Sequence, residues 1–96
     1  MAAYIIADVK VTDPEQYKQY GALTPAAVAA AGGEFLVRGG QVGVLEGGWD
    51  PTRVVVIRFE DMPAAKAFYD SALYTAARAK REGATEYFNM IVVDGI

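Results

Sequence analysis

The chain has no cysteine and no histidine. The first absence excludes disulfides, a thiolate nucleophile and zinc–thiolate sites. The second removes the usual general base near neutral pH, the serine triad, the commonest transition-metal ligand and a haem axial ligand. Any chemistry must fall to carboxylates, arginines, lysines or tyrosines, and no residue pattern calls for a cofactor or a metal. No apolar run approaches the ~18 to 20 residues of a membrane span, and the opening MAAYIIADVK lacks the charged and apolar regions of a secretory signal. A soluble, cytoplasmic protein with no membrane partner is expected. Basic runs are missing as well: the 9 lysines and arginines are scattered among 12 acidic residues, giving a net charge of -3. That balance argues against a nucleic-acid partner.

What the chain does hold is an apolar fraction of 53% in 96 residues. This makes one domain, 1–96, near the lower end of what buries a self-sufficient core, a deficit that association relieves. Tyr4 to Val11 is rich in β-branched residues and ends at Thr12-Asp13-Pro14-Glu15, where Asp13 can cap a helix and Pro14 suits its first position. Tyr17, Tyr20, Thr24, Ala27, Val28 and Ala31 then form one helical stripe that stops at Gly32-Gly33. Pro25 predicts a kink or restart near Leu23 to Thr24.

Glu34 to Arg38 and Gln41 to Glu46 read as short extended stretches separated by Gly39-Gly40, which allows a tight turn or a bulge. Arg53 to Phe59 is a strand, Asp61-Met62-Pro63 repeats the helix-start chemistry, and Ala65, Phe68, Tyr69 and Ala72 form the next stripe. Ser71 can cap a further helix reaching about Glu82, before a last strand over Thr85 to Val93. The order is that of split βαβ units, so the expected class is α+β: a ferredoxin-like sandwich with helices on one face of an antiparallel sheet.

A sheet with one wet face should alternate apolar and polar residues. Val54 to Ile57 and Met90 to Val93 are apolar throughout, so both faces need cover, while the helices supply cover for one. A second copy adding its own sheet face to face, as a homodimer closed like a barrel, is the simplest answer.

Several motifs carry a resemblance over essentially the whole chain. They are Val11-x-Asp13-Pro14-x-x-Tyr17, Gly32-Gly33, Phe35 to Gly40, Leu45-Glu46-Gly47-x-Trp49-x-Pro51-x-Arg53, and Phe68-Tyr69-x-Ser71-x-x-Tyr74. The chain resembles the domain-of-unknown-function family 1330, within the dimeric α+β barrel superfamily. That resemblance implies the same dimeric barrel and no particular reaction, although superfamily relatives include cofactor-free monooxygenases, a lactone isomerase and haem-handling enzymes. Gly43, where an acidic residue is expected, and Ala72, where a proline commonly follows the serine, depart from the pattern.

Arg38, Trp49 and Arg53 flank the glycine turns, and arginine forks beside an aromatic face suit a small carboxylate or phosphate. The structural alternative pairs Arg38 with Glu46 across strands and sets Trp49 on the dimer seam. Asp8 shares a strand face with Tyr4, Ile6 and Lys10, so it needs a partner, with Tyr87 and Asn89 as neighbours. It is a weak catalytic candidate against a purely structural hydrogen-bond network. Tyr74 and Arg78 are candidates for the rim of a pocket between helices and sheet, with Tyr69 in the core. The leading expectation is a binding site for a small organic molecule, an anion being one option, lined by Tyr4, Asp8, Arg38, Trp49, Arg53 and Tyr74. A cofactor-independent monooxygenase- or isomerase-like enzyme ranks second, and a dimeric interaction module without a pocket third.

Overall fold

A computed structural model describes residues 1–96. Strand β1 (Ala3–Val11) leads to helix α1 (Pro14–Ala30), then β2 (Glu34–Arg38), β3 (Arg53–Phe59), α2 (Met62–Asp70), α3 (Ala72–Lys80) and β4 (Thr85–Asp94). All neighbouring strands are antiparallel in the order β2-β3-β1-β4, the α+β ferredoxin-like arrangement read from the sequence. No helix is long and apolar enough to cross a membrane.

The helix starts follow from their caps. Asp13 accepts from the Gln16 amide at 3.2 Å, Asp61 from Ala64 at 2.9 Å, and the Ser71 hydroxyl from Tyr74 at 3.2 Å. Each cap satisfies one of the amides that the first helical turn leaves without a partner. The cores of α1 to α3 then meet the sheet on one side only. Ala3, Ile5, Ala7 and Val9 of β1 are buried beneath them, with Ile57, Phe59, Phe68, Tyr74 and Val28.

One expectation is narrowed here and another fails. Of the kink or restart that Pro25 predicts, the restart does not occur, and helix α1 runs through it as one element. Proline leaves the Gly21 carbonyl without its helical donor, and that carbonyl instead accepts from Arg38 Nη2 at 2.8 Å and Thr24 Oγ1 at 3.2 Å. Gln41 to Glu46 joins no strand and lies in an exposed segment between β2 and β3. Glycines at 39, 40, 43, 47 and 48 deprive that stretch of side chains that would pack on a neighbouring strand. The irregularity in β2 comes earlier, between Phe35 and Val37.

The face of the sheet away from the helices is uncovered. Register places Tyr4, Ile6 and Asp8 of β1 beside Val54, Val56 and Arg58 of β3 and Asn89, Ile91 and Val93 of β4. Ile91 is 61% exposed, Leu36 48% and Val93 43%. Ile6, Val54, Val56, Ile91 and Val93 make the middle of this face apolar, with Asp8, Asn89 and Arg58 toward its ends, the composition of an association surface.

Candidate functional site

Between α1 and the sheet is a small cavity of about 30 Å³. Its floor is apolar, from Ile5, Ala7, Val55 and Ile57, and its polar atoms come from Tyr17, Tyr20, Thr24, Arg38, Arg53 and Tyr74. The period of α1 puts Tyr17, Tyr20 and Thr24 on the helix face that meets the sheet, and Arg53 points the same way because it stands opposite Val9 in the ladder. Arg38 reaches the cavity from the end of β2, where it stands opposite Val55.

The tyrosines form one cluster. The Tyr20 and Tyr74 hydroxyls are 2.7 Å apart, and Tyr74 stacks on Phe68 with ring centroids 4.4 Å apart. Burial holds the Tyr20 phenol far above its ordinary range, with the neighbouring Tyr74 adding to the shift. Burial also raises Tyr17, against an opposing pull from the Arg53 guanidinium. Both phenols are therefore neutral hydrogen-bonding groups rather than ready bases.

The arginines of this region lean on rings. Arg38 sits 4.6 Å from the Phe35 centroid, Arg53 5.9 Å from Tyr17, and Arg81 3.7 Å from Phe88 and 5.2 Å from Tyr20. Such stacking favours a guanidinium by about 0.5–2 kcal/mol and leaves its edge free to donate. The chain's ion pairs are Lys10–Glu86 at 3.2 Å and Lys18–Glu15 at 3.3 Å, so no arginine has a carboxylate partner. Arg53 Nε and Arg81 Nε are buried without an acceptor. Of these, Arg38 and Arg53 line the cavity, so two guanidinium groups without carboxylate partners meet there in a protein of net charge -3.

Gly39 belongs to this geometry. Its φ is +73°, and a Cβ there would fall on the Arg53 guanidinium. Only glycine both takes that backbone conformation at low cost and leaves room for Arg53 to lie across the turn.

The six residues expected to line one pocket are distributed over three places. Arg38, Arg53 and Tyr74 meet at the cavity. Tyr4 and Asp8 share the uncovered face of the sheet, by the strand register. Trp49 is 68% exposed in the segment between β2 and β3. Asp8 accepts from the Thr52 amide at 2.9 Å, and Tyr87 bridges Thr52 Oγ1 at 2.7 Å and Asp8 at 3.5 Å, with Asn89 paired opposite Asp8. These bonds give Asp8 the polar partners, Tyr87 among them, that its place on the strand calls for. No Arg38–Glu46 ion pair forms, because Arg38 turns to the Gly21 carbonyl instead. Tyr69 is outside the core, where its hydroxyl accepts from Arg78 at 2.7 Å, and Arg78 does not line the cavity. Tyr17 and Tyr20 read from the sequence as plain core and were missed as site residues. Their signal was the hydroxyl-bearing character of the buried stripe, where a plain core stripe is aliphatic.

No group of three or more carboxylates is placed to hold a metal ion. The family model "Domain of unknown function (DUF1330)" matches residues 2–96. No curated protein matches the chain. Among solved structures, a protein of unknown function from Rhodopseudomonas palustris is 17% identical with a TM-score of 0.79, covering 99% of this chain and 82% of that one. A dimeric ferredoxin-like protein of unknown function from Jannaschia sp. CCS1 is 12% identical with a TM-score of 0.75, covering 99% of this chain and all of its own. A protein from Nitrosomonas europaea, provisionally described as an antibiotic biosynthesis monooxygenase, is 16% identical with a TM-score of 0.56, covering 99% and 89%. At these identities the likeness is one of fold.

Proposed function

The chain belongs to the DUF1330 family, and from that premise we propose that it is a homodimer whose protomers each bind a small organic anion at the cavity between α1 and the sheet. The dimer reading is supported by the uncovered apolar face and by the dimeric ferredoxin-like neighbours. The binding reading rests on one observation above the others. Arg38 and Arg53 converge without a carboxylate partner on a cavity rimmed by phenols, and Arg53 Nε has no acceptor.

A cavity of 30 Å³ admits a water-sized group, so the ligand enters by its anionic head. A carboxylate accepts from the Arg53 fork and from the phenols of Tyr17 and Tyr74, and displaces what water lies there. The body of the ligand then lies at the mouth beside Arg38 and the Phe35 ring, which favours a planar or aromatic acid. Tyr20 keeps Tyr74 oriented through their shared hydrogen bond.

A second reading, a cofactor-independent monooxygenase-like enzyme, draws on the provisional description of the Nitrosomonas europaea neighbour. The raised phenols of Tyr17 and Tyr20 and the absence of histidine weigh against it, since proton abstraction needs a base poised near the working pH.

Thermal unfolding with benzoate and with neutral benzamide tests the binding reading. Benzoate is expected to raise the midpoint in low salt, and benzamide to leave it unchanged. The benzoate shift should disappear in Arg53→Gln. Equal responses to the two compounds, or none to small carboxylates, would leave the interaction module as the better description.

A further inference from the structure

The segment between β2 and β3 exposes Val44 at 53%, Trp49 at 68% and Leu45 at 100%. A connection of this length with no secondary structure is uncommon inside a small domain. Its far end is tied to the uncovered face of the sheet, because Thr52 is held by Asp8 and Tyr87, both on that face. The segment therefore leaves the sheet on the side where the second copy packs. Between Gly40 and Pro51 it carries Glu46 and Asp50 and no cation.

A groove of about 350 Å³ runs along the opposite edge of the sheet, between α2, the end of α3 and β4. Its floor is Ala65, Phe88, Met90 and Val92, and Lys66 and Arg81 stand over it, opposed by Asp70. Arg81 Nε is buried there without an acceptor. The groove thus offers apolar cover and unpaired positive charge, and the segment offers exposed apolar side chains and negative charge.

We infer that the segment 40–51 is an arm that crosses to the second copy and seats Leu45 and Trp49 in the partner's β4-edge groove, with Glu46 and Asp50 facing Lys66 and Arg81. Sheet order and register allow it. β2 and β4 are the two edges of the sheet. When two such sheets pack face to face about an axis along the strands, each β2 edge lies over the partner's β4 edge. The arm leaves β3 at Arg53, level with Val9 and hence with Phe88, the end of the groove nearest Arg81. Phe88, Met90 and Val92 stand opposite Val9, Ala7 and Ile5, so the groove opens on the helix side of the sheet and the arm must turn around the partner's β4 edge to enter it. A chain of this length doubled back on itself reaches on the order of 20 Å, enough for the about 10 Å between packed sheets and that turn.

This inference rests on the dimer reading, and its test separates the two. Trp49 is the only tryptophan, so the emission of the unmodified protein reports on the arm alone. In a dimer confirmed by light scattering the emission should be blue-shifted, and it should move to the red on dilution, in step with dissociation. Lys66→Glu should weaken the dimer by at least about threefold. The absence of cysteine permits a second check. Glu46→Cys and Lys66→Cys chains, mixed under mild oxidation, should cross-link as mixed pairs. A dimer whose Trp49 emits as a water-exposed indole, or whose cross-links join only Glu46→Cys to itself, overturns the arm and leaves the dimer standing. A monomer at high concentration overturns both.

Discussion

Arg38 donates through Nη2 to the carbonyl of Gly21 at 2.8 Å, the carbonyl that Pro25 leaves without its helical donor. A proline inside α1 and an arginine at the end of β2 are thereby parts of one device. The helix gives up a backbone bond, and a guanidinium is fixed at the cavity mouth.

A double-mutant cycle measures that device. Arg38→Gln should destabilise the protein by about 1 kcal/mol, the net worth of a typical intramolecular hydrogen bond. In a Pro25→Ala background, the backbone amide restored at position 25 takes the Gly21 carbonyl, and the same Arg38→Gln change should cost little. Equal costs in both backgrounds, read by urea unfolding, would sever the link.

The Tyr20–Tyr74 pair predicts an alkaline weakness. Both phenols of α1 are raised in the folded state, so above about pH 10 the unfolded chain loses protons that the folded chain retains. Stability should be flat through neutrality and fall as pH rises beyond that point. Tyr20→Phe should flatten the fall while costing about 1–3 kcal/mol at neutral pH, because it strands the buried Tyr74 hydroxyl. An unchanged alkaline slope in that variant would contradict the assignment.

Gly39 and Gly40 should part company under substitution. Gly39→Ala meets a φ of +73° and the Arg53 guanidinium, and should cost about 1–2 kcal/mol while displacing Arg53 from the cavity. Gly40 has open space around it and no positive φ, so Gly40→Ala should leave both stability and benzoate binding near wild type.

Asp8→Ala should cost about 1.5–3 kcal/mol, since it removes the acceptor of the Thr52 amide and a partner of Tyr87. Benzoate binding should survive the change, because Asp8 is on the other face of the sheet from the cavity. Loss of binding in a folded Asp8→Ala protein would move the site to the uncovered face.

Much of this architecture was legible from residue order. Asp13-Pro14 and Asp61-Met62-Pro63 announce the starts of α1 and α2, and the apolar runs of β3 and β4 announce a sheet needing cover on both sides. Gln41 to Glu46 misled because Val42, Val44 and Leu45 imitate a strand, whereas no free edge in the chain pairs with it. The site was half legible. Arg38 and Arg53 are marked by the glycine turns around them, but their side of the sheet depends on strand register. Tyr17 and Tyr20 look like core until the arginines are seen beside them.

The most direct measurement follows the Arg53 Nε–H resonance and the ring signals of Tyr17, Tyr20 and Tyr74 by NMR during titration with benzoate in low salt. Saturable shifts confined to these groups and to Arg38, weakening as salt is added, are the expected result. Shifts on the Asp8 face of the sheet, or an Arg53 Nε–H indifferent to carboxylate, would contradict the claim that this cavity is an anion site.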